Sequence, residues 1–85
     1  MYQVIILRSA EKDLERLSST VVKRIFPALE KLSENPRPHG SKKLSGQDEN
    51  LWRVRIGDYR IVYLTADQIK VVEVRKIGHR KDIYT

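Results

Sequence analysis

Two alternating runs, Leu51–Ile56 and Tyr59–Leu64, meet at the dipeptide Gly57-Asp58. A two-residue loop that starts with Gly suits a type II′ bend, whose twist matches that of the strands it joins. Such a bend fixes the register: Ile56 faces Tyr59, Arg55 faces Arg60, Val54 faces Ile61 and Arg53 faces Val62. One face of the hairpin then carries Trp52, Val54, Ile56, Tyr59, Ile61 and Tyr63 and needs cover from water. The other face carries Arg53, Arg55 and Arg60. This one bend calls for helices on one side of a sheet and leaves cations on the other.

The preceding residues supply the cover. Tyr2 to Leu7 is apolar and β-branched, which predicts a strand buried on both faces or nearly so. Ser9 is placed as an N-cap, and Ala10, Leu14 and Leu17 follow at helical spacing. Ser18-Ser19-Thr20 breaks that helix and offers a cap to the next. There Val22, Ile25, Phe26, Leu29 and Leu32 make one apolar stripe. Pro27 lies inside the stripe and should kink the helix or loosen one turn, because it has no N–H to donate. Asn35-Pro36-Arg37-Pro38 stops the helix, and the polar residues 39–50 are expected as a loop. After Tyr59–Leu64 the chain turns at Ala66-Asp67, or over Thr65–Gln68, into a last strand over Ile69–Ile77. The expected fold is α+β, ordered β-α-α-β-β-β: two N-terminal helices on one face of a mostly antiparallel four-stranded sheet. A chain of 85 residues has room for one core, so residues 1–85 are expected to form a single domain.

Composition narrows the class. Without cysteine there is no disulfide framework and no thiolate metal site. His39 and His79 are far apart in sequence, and no metal-ligand spacing or glycine-rich phosphate loop is present, so neither metal nor organic cofactor is expected. Val4-Ile5-Ile6-Leu7 is too short for a leader or a membrane span, so the expectation is a soluble cytoplasmic protein with no membrane partner. The net charge is +6, and residues 51–85 carry +4 of it. A basic half points to a polyanion or an acidic protein as partner.

Like charges placed opposite each other on a sheet cost up to about 1 kcal/mol. The pairing of Arg55 with Arg60 is therefore not what stability alone would select. Continued through the next turn, the register puts Glu73 opposite Arg60 and Arg75 two residues on, while Ile77 falls out of phase and implies a bulge. The arrangement fits an Arg/Glu lattice that merely solvates the outer face. It also fits a phosphate-binding surface, because guanidinium presents a planar fork of donors that stays charged. Gly78-His79-Arg80-Lys81-Asp82-Ile83-Tyr84 then adds an imidazole, a guanidinium and a phenol. Together these groups suit cleavage of RNA by attack of a 2′-hydroxyl on the adjacent phosphate. That reaction needs a base, cations for charge gathering on phosphorus, and an acid for the leaving oxygen.

Lys43-Leu44-Ser45-Gly46, the hairpin Leu51–Tyr63 and the tail Gly78–Tyr84 resemble the RelE/ParE toxin superfamily over essentially the whole chain. The resemblance implies a toxin that cleaves mRNA in the ribosomal A site without a cofactor. It also implies a cognate antitoxin that wraps and blocks the toxin, and binding of operator DNA only through that complex. RelE-type sites place basic residues at Arg53 and Arg55, arginines at Arg60 and Arg80, and a tyrosine at Tyr84. In the best-known member the first two are lysines, one of them a proposed base. Arginine does not give up its proton, so here the base falls first to His79, whose ordinary pKa is near neutral, with Glu73 and Tyr84 as weaker choices. Two other functions share the fold: a ParE-like gyrase inhibitor, and a non-catalytic module that docks on the ribosome or an antitoxin.

Overall fold

A computed structural model describes residues 1–44 and 50–79. The elements run β1 (Gln3–Ile6), α1 (Arg8–Glu15), α2 (Ser19–Glu34), β2 (Lys42–Lys43), β3 (Leu51–Ile56), β4 (Tyr59–Ala66) and β5 (Val71–His79). The sheet order is β1-β5-β4-β3-β2, with β1 parallel to β5 and every other pair antiparallel. The fold is α+β as expected, with five strands rather than four. The extra one, β2, lies in the polar stretch expected as loop and is a two-residue edge strand. Its alternation is too short to register as a sequence pattern.

The β3–β4 hairpin has the register that the bend dictates, pair for pair, from Ile56 with Tyr59 to Arg53 with Val62. Gly57 adopts φ +60°, the value a type II′ bend asks of its first residue. Helix residues Ala10, Ile25, Leu29 and Leu32 are buried against Ile61, Tyr63, Val72, Val74 and Ile77, with Trp52, Val54 and Ile56 packed beside them. The helices therefore cover the predicted face.

Several local expectations are corrected. As an edge strand, β1 buries one face only, through Val4 and Ile6, and exposes Gln3 and Ile5. Ser9 does not cap α1; the N-cap position is Leu7, without a side-chain bond, and Ser9 Oγ donates instead to the Arg75 carbonyl at 2.8 Å. Ser18 does cap α2, accepting from the Val21 N–H at 3.3 Å. The helix runs unbroken past Pro27, but its buried stripe is rotated. Val21 and Ala28 pack on the core, while Phe26 stays 47% exposed. β4 continues to Ala66, so the next loop is Asp67–Lys70 and β5 begins at Val71, leaving Ile69 exposed.

Two polar ties fasten the end of the sheet nearest this loop. Tyr63, fully buried, donates its hydroxyl to the Pro36 carbonyl at 2.7 Å, and burial pushes its pKa up to about 12. Asp67 accepts from the Tyr2 hydroxyl at 2.7 Å and from the Arg37 guanidinium at 3.1 Å. Arg37 also lies over the Trp52 ring, 5.7 Å from its centroid. Tyr63→Phe strands a buried carbonyl and should destabilise the fold by about 1–2 kcal/mol, lowering Tm by about 4–8 °C per kcal/mol in a domain of this size. Thermal unfolding followed by circular dichroism measures the shift.

The Tyr2 hydroxyl and then the Arg37 guanidinium hold the Asp67 carboxyl below its ordinary pKa. A group with a depressed folded-state pKa contributes its stability above the unfolded value, about pH 4, and loses it as pH falls further. Urea midpoints across this range should show a shallower acid limb for Asp67→Asn than for the parent chain.

Candidate nucleic-acid interface

The face of the sheet away from the helices is organised in rows. The row nearest the Gly57 bend aligns Arg55, Arg60 and Gly78. The next aligns Lys42, Arg53, Val62 and Lys76. The third aligns Leu51, Leu64, Glu73 and Ile5. Adjacent strands lie about 4.8 Å apart, within easy reach of side chains as long as Arg and Lys.

Glu73 is therefore not opposite Arg60; it faces Leu64, and Gly78 takes the position beside Arg60. The difference from Glu73 to Gly78 is five positions. The four-residue loop Asp67–Lys70 accounts for four, and the bulge between Val62 and Tyr63, where Arg75 is the extra residue on β5, for one. The bulge predicted from Ile77 is present, and it returns Ile77 to the core beside Ile61. Two side chains of α1 hold it. Ser9 bonds the Arg75 carbonyl, and Asp13 Oδ2 accepts from the Ile77 N–H at 3.0 Å. Backbone groups loosened from the sheet ladder are thus met by the helix on the other face.

The three hairpin arginines share this face but not one environment. Arg55 is exposed, Arg53 is only 9% exposed and Arg60 only 2%. Arg53 Nη1 donates to the Gly40 carbonyl at 3.3 Å, which ties β3 to the loop after α2. Burial, followed by the nearby charge of Arg55, lowers the Arg53 pKa. Glu73 is engaged by Arg75 at 3.3 Å. Gly78 presents no side chain beside Arg60.

His79 is elsewhere. It pairs with Tyr59, on the side of the sheet that carries Ile61 and the helices, and meets the Tyr59 ring edge-on at 5.4 Å. There it lines a cleft of about 340 Å³ with Asp13, Arg16, Leu17 and Tyr59. The structure thus brings Arg53, Arg55 and Arg60 together and places His79 across the sheet from them. Arg80 and Tyr84 lie outside the described residues.

Two cations of the face were not singled out from sequence, Lys42 and Lys76. Lys76 joins the Arg53 row only because the bulge changes the parity of β5. Lys42 joins it only because the short β2 forms. The Ile77 phase break was the one available signal for Lys76.

Comparison with known proteins fits this geometry. The family described as the ParE toxin of type II toxin–antitoxin systems, parDE, matches residues 4–84. The chain belongs to the RelE/ParE toxin superfamily. The RelE1 toxin relative from Methanocaldococcus jannaschii is 34% identical over 98% of this chain and 94% of its own. The archaeal RelE solved with RelB from Pyrococcus horikoshii superposes with a TM-score of 0.81 at 30% identity, covering 93% of this chain and 94% of that one. The isolated Escherichia coli RelE toxin superposes at 0.79 with 28% identity, covering 99% and 92%. The chain is thus a toxin of the type II toxin–antitoxin class in sequence and in fold.

The helix-to-sheet ties make the RelE-like face sensitive to a residue on its far side. Asp13→Ala leaves the Ile77 N–H without its acceptor and should cost about 1–3 kcal/mol. Hydrogen exchange at the Ile77 amide should quicken by more than at Val72, deep in the same strand.

Proposed function

We propose that this toxin is a ribosome-dependent endoribonuclease that cuts mRNA and so stops translation. The observation that carries the reading is the Arg55/Arg60 pair, two arginines at directly opposed backbone positions, beside a glycine, on the outer face of the sheet. A phosphate bound there gains donors suited to its oxygens.

In the proposed reaction the 2′-oxygen attacks phosphorus while the bond to the 5′-oxygen breaks. The products are a 2′,3′-cyclic phosphate and a 5′-hydroxyl. The 2′-hydroxyl proton passes to water, and the leaving oxygen receives one from water. Arg55 and Arg60 stabilise the charge that builds on the non-bridging oxygens, and Arg53 supports it from the next row. No arginine serves as base at neutral pH. His79 faces the helix side, and Glu73 lies two rows away in its pair with Arg75. Catalysis on this face thus rests on charge stabilisation and on the ribosome's alignment of the message, with Arg80 and Tyr84 as the further site positions that the family resemblance implies. RelE proteins of P. horikoshii and E. coli have been solved with RelB. We assign this chain an antitoxin of the same kind, with operator DNA bound only through the complex.

Purified toxin added to translating ribosomes should leave cyclic-phosphate ends on mRNA. Arg55→Ala, at an exposed position, should slow cleavage by about 10²–10³-fold with the fold intact. Arg60 is buried, so Arg60→Lys is the better probe there and should also fail to restore the bidentate contact. Full cleavage by folded Arg55→Ala and Arg60→Lys would reject the site. A ParE-like reading is favoured by the family description that matches. It would show as intact mRNA together with a DNA-damage response on expression.

A further inference from the structure

α2 has two unlike flanks. Phe26, Glu30 and Ser33 lie toward β1, where Met1, Val4 and Ile6 complete one groove. Arg24 and Lys31, seven residues apart, share the opposite flank about 10 Å apart along the axis. That flank borders a second cleft, of about 440 Å³, completed by Pro27, Ala28, His39 and the end of β3 from Val54 to Ile56. Among the described residues its polar side chains are all bases, and no carboxylate lines it.

Two features indicate that the cleft is arranged for an anion. First, the Arg24 guanidinium lies directly over Gly57: a Cβ at that residue would come within 2.6 Å of its Nη2. The bend that sets the hairpin register thus also seats this cation. Second, β2 pairs with β3 only at Trp52 and Arg53, so beyond them the β3 edge has no partner strand among the described residues. In a two-residue hairpin Ile56 bonds to Tyr59, so the alternating Arg55 N–H points out to this edge, into the cleft. Among the described residues Arg24, Lys31, His39 and Arg55 have no ion-pair partner.

The geometry points to a second RNA subsite, in which Arg24, Lys31 and the Arg55 N–H hold backbone phosphates of a single strand and His39 stacks on a base. An acidic peptide also suits bare cations. RNA is favoured by continuity, because Arg55 belongs both to this edge and to the outer face, so one strand passes around the β3 edge from face to cleft. The choice of RNA rests on the proposed function; the cationic cleft does not.

A fluorescent 2′-O-methyl oligoribonucleotide lacks the attacking hydroxyl and reports binding without cleavage. Its anisotropy, titrated with full-length toxin over a range of salt, should give weaker binding for the double variant Arg24→Ala/Lys31→Ala. The salt slope should fall by about 1.4, at about 0.7 per single-strand phosphate contact. Both positions are exposed, and circular dichroism verifies the fold. An unchanged slope and affinity would overturn the subsite. A polyglutamate peptide that outcompetes the oligonucleotide on the parent chain, and loses that advantage in the double variant, would overturn it in favour of an acidic protein. A slope change in a toxin that cuts no message would support the subsite while refuting the endonuclease.

Discussion

The Gly57-Asp58 bend is the constraint from which the remaining geometry follows. It sets the parity of β3 against β4, and a slip of β3 by one residue would turn Arg53 and Arg55 toward the helices. The packing of Trp52, Val54 and Ile56 on the core opposes that slip, since each would turn to the outer face. The hydrophobic face thus determines where the charges go. The cationic surface is held in place largely by the apolar packing on the opposite side of the sheet.

What was legible in the sequence followed from short-range rules. The bend needs only Gly and Asp between alternating runs, and it gave the Arg55–Arg60 pairing and the helix-covered face correctly. Legibility ended where the register depended on a loop. Asp67–Lys70 carries no Gly or Pro to mark its length, and Lys70 takes the left-handed φ of +57° that a glycine would have advertised. The shorter turn inferred instead moved Glu73 beside Arg60, where it does not belong. Phe26 was misplaced for a different reason. Its spacing fits the stripe, but α2 packs a rotated face, with Val21 and Ala28, onto a sheet whose exact placement no periodicity records. The parity of His79 turned on the exact site of the bulge.

The placement of charge also has a cost that the fold distributes. Arg53 and Arg60 are withdrawn from water, which disfavours a guanidinium unless acceptors and dipoles meet it. The Gly40 carbonyl answers part of this for Arg53. The Arg37, Tyr2, Asp67 and Thr65 cluster sits at the opposite end of β4, where side-chain bonds close on one another. The Tyr2–Asp67–Arg37 ties thus lie at the loop end of the sheet, and the like-charge Arg55–Arg60 pairing lies near the bend. Such a division is common where a surface is shaped for a ligand rather than for stability.

The bulge at Arg75 links these two demands. A helix as short as α1, eight residues, does not persist in water by itself. Its order depends on the sheet it rests on, while the sheet's irregular strand depends on two side chains from that helix. Each steadies the other. The alignment of Gly78 and Lys76 on the far face therefore leans on α1, so a disturbance at the helix is felt through the full thickness of the sheet.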